Sequence, residues 1–200
     1  MITLTVPIIL ASQSPRRALL LKQIGLNFYI RPSTVVEEID PASTPEANVK
    51  RLSLHKAEDV AAMNPSGIVI GSDTIVVIDG TVLGKPRSAD EAKEMLRSLS
   101  GRTHTVFTGY ALVDASTKKS YIDSASTEVT FRVLDEKEIA EYVGSGSPMD
   151  KAGSYGIQDD FGAVFVERIS GDYYTVVGFP LSKFYTTFIS FARELGHLTD

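Results

Sequence analysis

Residues Ile68–Pro86 read IVIGSDTIVVIDGTVLGKP. The apolar, β-branched runs Ile68–Ile70 and Ile75–Ile78 flank Gly71, Ser72, Asp73 and Thr74, and Thr81–Leu83 resumes the pattern after Asp79-Gly80. Asp-Gly between such runs predicts a two-residue hairpin loop, because a type I′ turn needs positive φ at both central residues. That loop sets the register: Ile78 opposite Thr81, Val76 opposite Leu83, Thr74 opposite Lys85. Directly opposed side chains lie about 4.5–5.5 Å apart at Cβ, so Asp73, Thr74 and Lys85 are expected together at one end of the hairpin. An Asp is disfavoured in an apolar strand, and burying its charge is costly without a partner or a metal. Two readings stand side by side. Asp73 is a surface carboxylate satisfied by water or Lys85, or it is an acid/base or metal ligand. Gly71 leans toward the second, since a strand glycine marks close approach of a ligand or of another backbone. Alternation sends Asp73 and Thr74 to opposite faces unless the strand bulges or ends there.

The chain of 200 residues, 43% hydrophobic, can bury one good core or build two small lobes around one cleft. A net charge of −5 argues against a general nucleic-acid surface but leaves room for a local basic pocket. Without cysteine, disulfides, thiolate chemistry and zinc–thiolate sites are excluded. No apolar run reaches the roughly 18 residues that span a bilayer. The start, MITLTVPIILASQ, lacks the basic region of a signal peptide. No membrane partner is expected, and the cytoplasm is the expected compartment. There is no repeat and no low-complexity segment.

Taken in order, Thr5–Ala11 predicts a buried strand that empties into Ser12-Gln13-Ser14-Pro15-Arg16-Arg17. Ser14 can cap a helix over Ala18–Ile24 with Pro15 in its first position, and Gly25 ends it. Strand, Ser-rich loop and helix N-terminus together form an anion site. Arg16 and Arg17 oppose the helix dipole in the first turn, which points to an anionic partner such as phosphate; the alternative is that they face solvent or pair with surface acids. Phe28–Ile30 predicts a second strand. In the loop that follows, Glu37, Glu38 and Asp40 form either a solvated acidic stretch or oxygen ligands for a hard cation. A helix is predicted over Glu46–Met63, with His55 and Lys56 in its interior. Ser88 and Glu91 have capping-box spacing ahead of a helix to Leu99. His104, after the polar turn Ser100–Thr103, either positions a phosphate or closes the turn. Thr105–Asp114 and Ser120–Leu134 predict a long hairpin, and Asp135–Val143 a short capped helix. In Met149–Asp159 the glycines allow close backbone approach to a ligand, Lys151 offers a point charge, and Gln158 offers an amide able to read a base edge. Phe161–Ser170 and Tyr173–Val177 are expected to form a further hairpin around Gly171-Asp172, before an amphipathic helix over Pro180–Leu195.

The segments ASQSPRR, the VEE loop, LHKA, GSDTIVV with GTVLGKP, LSGRTH and DKAGSYGIQ, in this order over roughly residues 8–190, resemble the Maf family of nucleoside triphosphate pyrophosphatases. The likeness is greatest to the branch acting on dTTP and UTP, whose specificity signature matches Arg16, Thr74 and Gln158. The branch acting on 7-methyl-GTP would be expected to carry Glu in the place of Thr74. Leu19 and Ser72 depart from the usual pattern, where an acid and an Ala are common. The family's loop glutamate falls on Glu37 or Glu38, and Glu38 is the expected match.

The resemblance implies an α/β fold like that of inosine triphosphate pyrophosphatases (Maf/Ham1-like): one Maf-like domain over residues 1–200, its mixed, twisted sheet split into two lobes, with the nucleotide in the central cleft. It implies a homodimer and a divalent cation, Mg²⁺ or Mn²⁺. The expected reaction is hydrolysis of a pyrimidine nucleoside triphosphate, modified pyrimidines included, to monophosphate and pyrophosphate, largely by positioning and charge neutralisation. Asp73 would be the general base or a metal ligand, and Glu38 a metal ligand. Ser12, Ser14, Arg16, Arg17, Lys56 and Lys85 would bind phosphates, while Thr74 and Gln158 with Arg16 would set specificity. The competing expectation is a nucleotide-binding regulator of septum formation that acts without turnover.

Overall fold

A computed structural model of the chain describes residues 3–158 and 161–198. Its elements run β1 (Ile8–Leu10), α1 (Pro15–Gln23), β2 (Tyr29–Ile30), α2 (Pro45–Ala62), β3 (Ile68–Ile78), β4 (Thr81–Leu83) and α3 (Ala89–Leu99). They continue with β5 (Thr103–Asp114), β6 (Ser120–Phe131), α4 (Glu136–Gly144), β7 (Val166–Ser170), α5 (Tyr173–Val177) and α6 (Leu181–Glu194). The fold is α/β. The strands form a mixed seven-stranded sheet in the order β2-β1-β3-β5-β6-β7, with β4 paired to β3 off this path. β1 runs parallel to β2 and β3, while β4 on β3 and β7 on β6 are antiparallel.

The chain divides into two compact units. The first comprises Met1–Asp73, Thr108–Ala125 and Gly178–Asp200; the second comprises Thr74–Phe107 and Ser126–Val177. In the first, Ile9, Val69, Ala111 and Val113 from the strands pack with Ala57, Val60 and Ala61 of α2. Tyr110, Phe179, Phe184 and Phe188 form a separate aromatic cluster in the same unit, Phe184 stacking on Phe188 at 5.4 Å. In the second, Val76, Ile78, Val106, Val129 and Phe131 pack with Leu96 and Leu99 of α3 and with Ile139 and Tyr142 of α4. Each unit therefore buries apolar area of its own, the main favourable term in folding.

Local signals place most of the elements. Ser14 caps α1, Thr44 caps α2 and Ser88 caps α3, each accepting from the backbone N–H three residues on. Asp135 and Glu138 close a reciprocal capping box at α4. The hairpin register is as expected, with Val76 opposite Leu83 and Ile78 opposite Thr81. Asp79 and Gly80 take φ of 48° and 76°, as a type I′ turn requires. β4 ends at Leu83, so the expected pairing of Thr74 with Lys85 lies past the end of the ladder.

The expected hairpin around Gly171-Asp172 does not form. Phe161–Phe165 is a 3₁₀ turn, Val166–Ser170 pairs with β6, and Tyr173–Val177 is a short helix. Asp172 is the reason: its carboxylate accepts from both the backbone N–H and the hydroxyl of Thr175, at 2.7 Å each. That is a helix-start geometry, and it outweighs the β propensity of the residues that follow.

Candidate active site

The site begins where α2 lies on the sheet. A Cβ placed on Gly71 would come within 2.1 Å of the Ser53 carbonyl oxygen and 2.9 Å of the Ala57 nitrogen. One on Gly109 would lie 2.4 Å from the Val49 carbonyl oxygen. Two glycines on β3 and β5 thus let the helix backbone touch the strands directly. Of the two close approaches that Gly71 suggested, the structure has the backbone one.

That contact delivers Lys56 to Asp73. The Lys56 Nζ donates to Asp73 Oδ1 at 2.5 Å and to Glu37 Oε1 at 2.7 Å, and reaches the Ser72 carbonyl at 3.5 Å. Lys56 and Asp73 are each only 5% exposed, so Asp73 is not a surface carboxylate. An ion pair this dry is strongly coupled, and removal of either partner would strand a buried charge. Ser72 is fully buried and donates its hydroxyl to the Gly109 carbonyl at 2.8 Å.

The acidic loop is fixed to α2 at both ends. Asp59 Oδ2 accepts from the Ser33 hydroxyl and the Thr34 N–H, both at 2.8 Å. Asn48, 1% exposed, accepts from the Asp40 N–H at 2.8 Å and donates to the Asp40 carbonyl at 2.9 Å. Arg51 donates to the Glu38 carbonyl at 2.6 Å. With the loop so held, Glu37 is the glutamate whose carboxylate meets Lys56. Sequence reading passed over Asn48, Arg51 and Asp59, because a polar residue on a helix carries no local mark of a loop partner many residues away.

At the start of α1, the Ser12 oxygen accepts from the Ser14 N–H at 3.2 Å and from Arg17 Nη1 at 3.1 Å. Arg17 Nε donates to the Gly178 carbonyl at 3.0 Å. Burial presses the Arg17 guanidinium downward from its usual range, and the Asp73 and Glu37 carboxylates oppose the shift. Arginine stays cationic under such pressure. Arg17 thus anchors Ser12 and the Gly178 carbonyl, and its field reaches Asp73 and Glu37. Arg16 beside it is half-buried. The first unit accordingly holds Ser12, Ser14, Arg16, Arg17, Glu37, Glu38, Lys56 and Asp73.

The second unit holds Thr74, Lys85 and Gln158. Thr74 is half-buried on β3, directly after Asp73, and Lys85 is exposed beyond β4. The Gly153 N–H donates to the Gly84 carbonyl at 3.0 Å, which lays the DKAGSYGIQ segment beside the residue preceding Lys85. One expectation in this unit is corrected, that for Lys151, and one of the two alternatives for His104 is not met. Lys151 is 7% exposed and turns its ammonium back on its own loop, donating to the Ser147 carbonyl at 2.6 Å and to Asp150 at 2.9 Å. His104 is 2% exposed and bonds Tyr155, so a phosphate does not reach it.

Among the described residues no group of three or more His, Cys, Asp or Glu side chains is placed to hold a metal ion, and no helix is long and apolar enough to cross a membrane. Two carboxylates, Glu37 and Asp73, do converge on one positive charge, the ammonium of Lys56.

Residues 7–191 match the sequence profile of the Maf-like proteins. The chain belongs to the Maf family. It is 49% identical over 176 residues to a protein of Bacillus pumilus named dTTP/UTP pyrophosphatase, covering 88% of this chain and 92% of that one. A protein of the same name from Thermotoga maritima is 52% identical over 176 residues, covering 87% and 84%. Another, from Salinibacter ruber, is 46% identical over 187 residues, covering 94% and 92%.

Proposed function

We propose that this protein hydrolyses dTTP and UTP, and modified pyrimidine nucleotides with them, to the monophosphate and pyrophosphate. The observation that carries the reading is the buried Asp73 carboxylate, held by Lys56 beside Glu37 and followed directly by Thr74. The name shared by the relatives supplies the substrate class. In this reading the chain is one Maf-like domain that binds a single nucleotide. Arg16, Lys56 and Lys85 neutralise the phosphates. Ser12 and Ser14 donate to phosphate oxygens at the positive end of α1, and Arg17 keeps Ser12 in place for that contact. Water attacks the α-phosphorus in line as the bond to the bridging oxygen breaks, and pyrophosphate carries that oxygen away. Asp73 takes the water's proton or serves as a ligand to the cation. Thr74 leaves room for a pyrimidine, and the Gln158 amide pairs with its acceptor–donor edge.

A hard divalent cation, Mg²⁺ or Mn²⁺, fits the donors present. Glu37 and Asp73 offer two carboxylates that already share one positive charge, and Mg²⁺ is commonly held by one or two carboxylates with substrate phosphates completing its shell. When bound, it neutralises phosphate charge and acidifies a water. We assign the glutamate role to Glu37 in preference to Glu38, whose carbonyl is the group engaged by Arg51. A homodimer in the cytoplasm completes the reading.

Pyrophosphate release from dTTP and UTP with Mg²⁺ is the test. Excess EDTA should stop it, and Asp73→Asn should abolish it while nucleotide still binds. The kcat/KM for ATP and GTP should fall at least tenfold below that for dTTP, about 1.4 kcal/mol or more. GTP or 7-methyl-GTP turned over as fast as dTTP would defeat the pyrimidine assignment. Nucleotide binding with no pyrophosphate release would favour a regulator.

A further inference from the structure

The second unit contains a polar pair that its own packing does not require. His104 Nε2 and the Tyr155 hydroxyl lie 2.8 Å apart, with either atom able to donate. Both rings are buried, His104 at 2% exposure and Tyr155 at 5%. Both meet Phe131 edge-on, at 5.0 Å and 4.7 Å between centroids, and they meet each other at 5.4 Å. The His104 Nδ1 is buried as well and makes no hydrogen bond among the described residues. Two phenylalanines would fill this space and strand no ring nitrogen. A polar pair at such a place adds a directional bond, which fixes the rotation and depth of the Tyr155 ring.

Tyr155 stands at the end of a tightly held turn. Gly153 and Ser154 both take positive φ, 68° and 62°. The Gly153 N–H is bonded to the Gly84 carbonyl, and Lys151 is bonded to Ser147 and Asp150. These bonds secure the chain before Tyr155, and the His104 bond secures it at Tyr155. Gln158 follows three residues later, half-buried. A side chain that discriminates bases by hydrogen bonds depends on placement, and a displacement on the order of 1 Å far from the chemistry can cost 10²-fold.

We propose that His104 is a positioning residue for substrate selection: its bond to Tyr155 sets the backbone from which Gln158 reaches the base. The proposal rests on the reading of Gln158 as the base-reading amide given above. His104 touches neither phosphate nor base, and its effect passes through Tyr155 alone.

The test compares Tyr155→Phe, His104→Phe and Gln158→Ala by kcat/KM for dTTP against GTP, with kcat and KM separated. Tyr155→Phe removes one oxygen and keeps the ring, so it tests the idea even where His104→Phe fails to fold. Expected are a rise of roughly tenfold in KM for dTTP, a smaller change in kcat, and a narrowed dTTP-to-GTP ratio in Tyr155→Phe. His104→Phe, where folded, should give the same shift, and the double variant should add nothing further. A merely structural bond would lower the melting temperature and leave the ratio of the folded enzyme untouched, which overturns the proposal. If Gln158→Ala narrows the ratio and Tyr155→Phe does not, the positioning role fails alone. If Gln158→Ala leaves the ratio unchanged, the base-reading role fails and the proposal falls with it.

Discussion

Lys56 has two duties that conflict in energy. Its ammonium is buried, and so is the Asp73 carboxylate it holds at 2.5 Å. Desolvating both charges offsets much of their attraction, so the pair contributes little net stability as a pair. Losing one partner is another matter. Lys56→Met should destabilise the protein by about 3–5 kcal/mol, because Asp73 is left buried without its partner. The double variant Lys56→Met/Asp73→Asn removes both charges and should recover most of that loss while remaining inactive. Urea unfolding of the four proteins gives the coupling directly. Equal stability of Lys56→Met and the parent would mean that the ammonium does not compensate Asp73.

The element that places this chemistry is α2, and what lets it do so is the absence of two Cβ atoms. Gly71→Ala would drive a methyl group to 2.1 Å from the Ser53 carbonyl, which is main chain and cannot swing aside. The helix must lift, at about 2–3 kcal/mol for overpacking of this kind, and Lys56 lifts with it. The expected result is a lower melting temperature together with a fall in kcat larger than the unfolded fraction explains. Gly144→Ala is the control, since a Cβ there meets nothing within 4 Å. If Gly71→Ala matched that control in both measurements, the contact between α2 and β3 would not set the site. The loop carrying Glu37 depends on the same helix through Asn48, Arg51 and Asp59, so one element fixes the charges on both sides of Lys56.

Over the whole molecule, His104 and Asp114 are two of the groups through which stability should depend on pH. Burial depresses His104 from its usual 6.5 to about 4. The unfolded chain then binds a proton in a range where the folded chain does not. The His104 contribution is complete above pH 6.5 and is lost as pH falls toward 4, roughly 3 kcal/mol in all at 1.36 kcal/mol per unit. Burial alone would raise Asp114, but hydrogen bonds from Ser116, Thr117 and His197 hold it well below the usual carboxylate range. Its contribution is present above the ordinary value of 3.8 and is lost as pH falls below that. Unfolding free energies measured between pH 7 and 4 should therefore decline, and His104→Phe should flatten the curve between 6.5 and 4. An unchanged slope in that variant would show that His104 is not the titrating group.

What could be read from the chain alone is what neighbours in sequence decide. Asp79-Gly80 sets the hairpin register because turn geometry spans four residues, and Ser14, Thr44, Ser88 and Asp135 mark helix starts because a cap reaches only three residues ahead. The separate motifs, taken in order, carried the family. Tertiary structure decided everything that depends on which distant group fills a space. Gly71 announced a close approach, but only the packed helix shows that a backbone makes it. Glu37 and Glu38 are adjacent and chemically alike, and which one meets Lys56 follows from anchors on α2. His104 and Lys151 carried polar labels and turned out to be interior ties, since burial is a property of the assembled core. At Asp172 a local signal was present and misread: an Asp after Gly begins a turn or a helix equally well, and the bonds to Thr175 chose the helix.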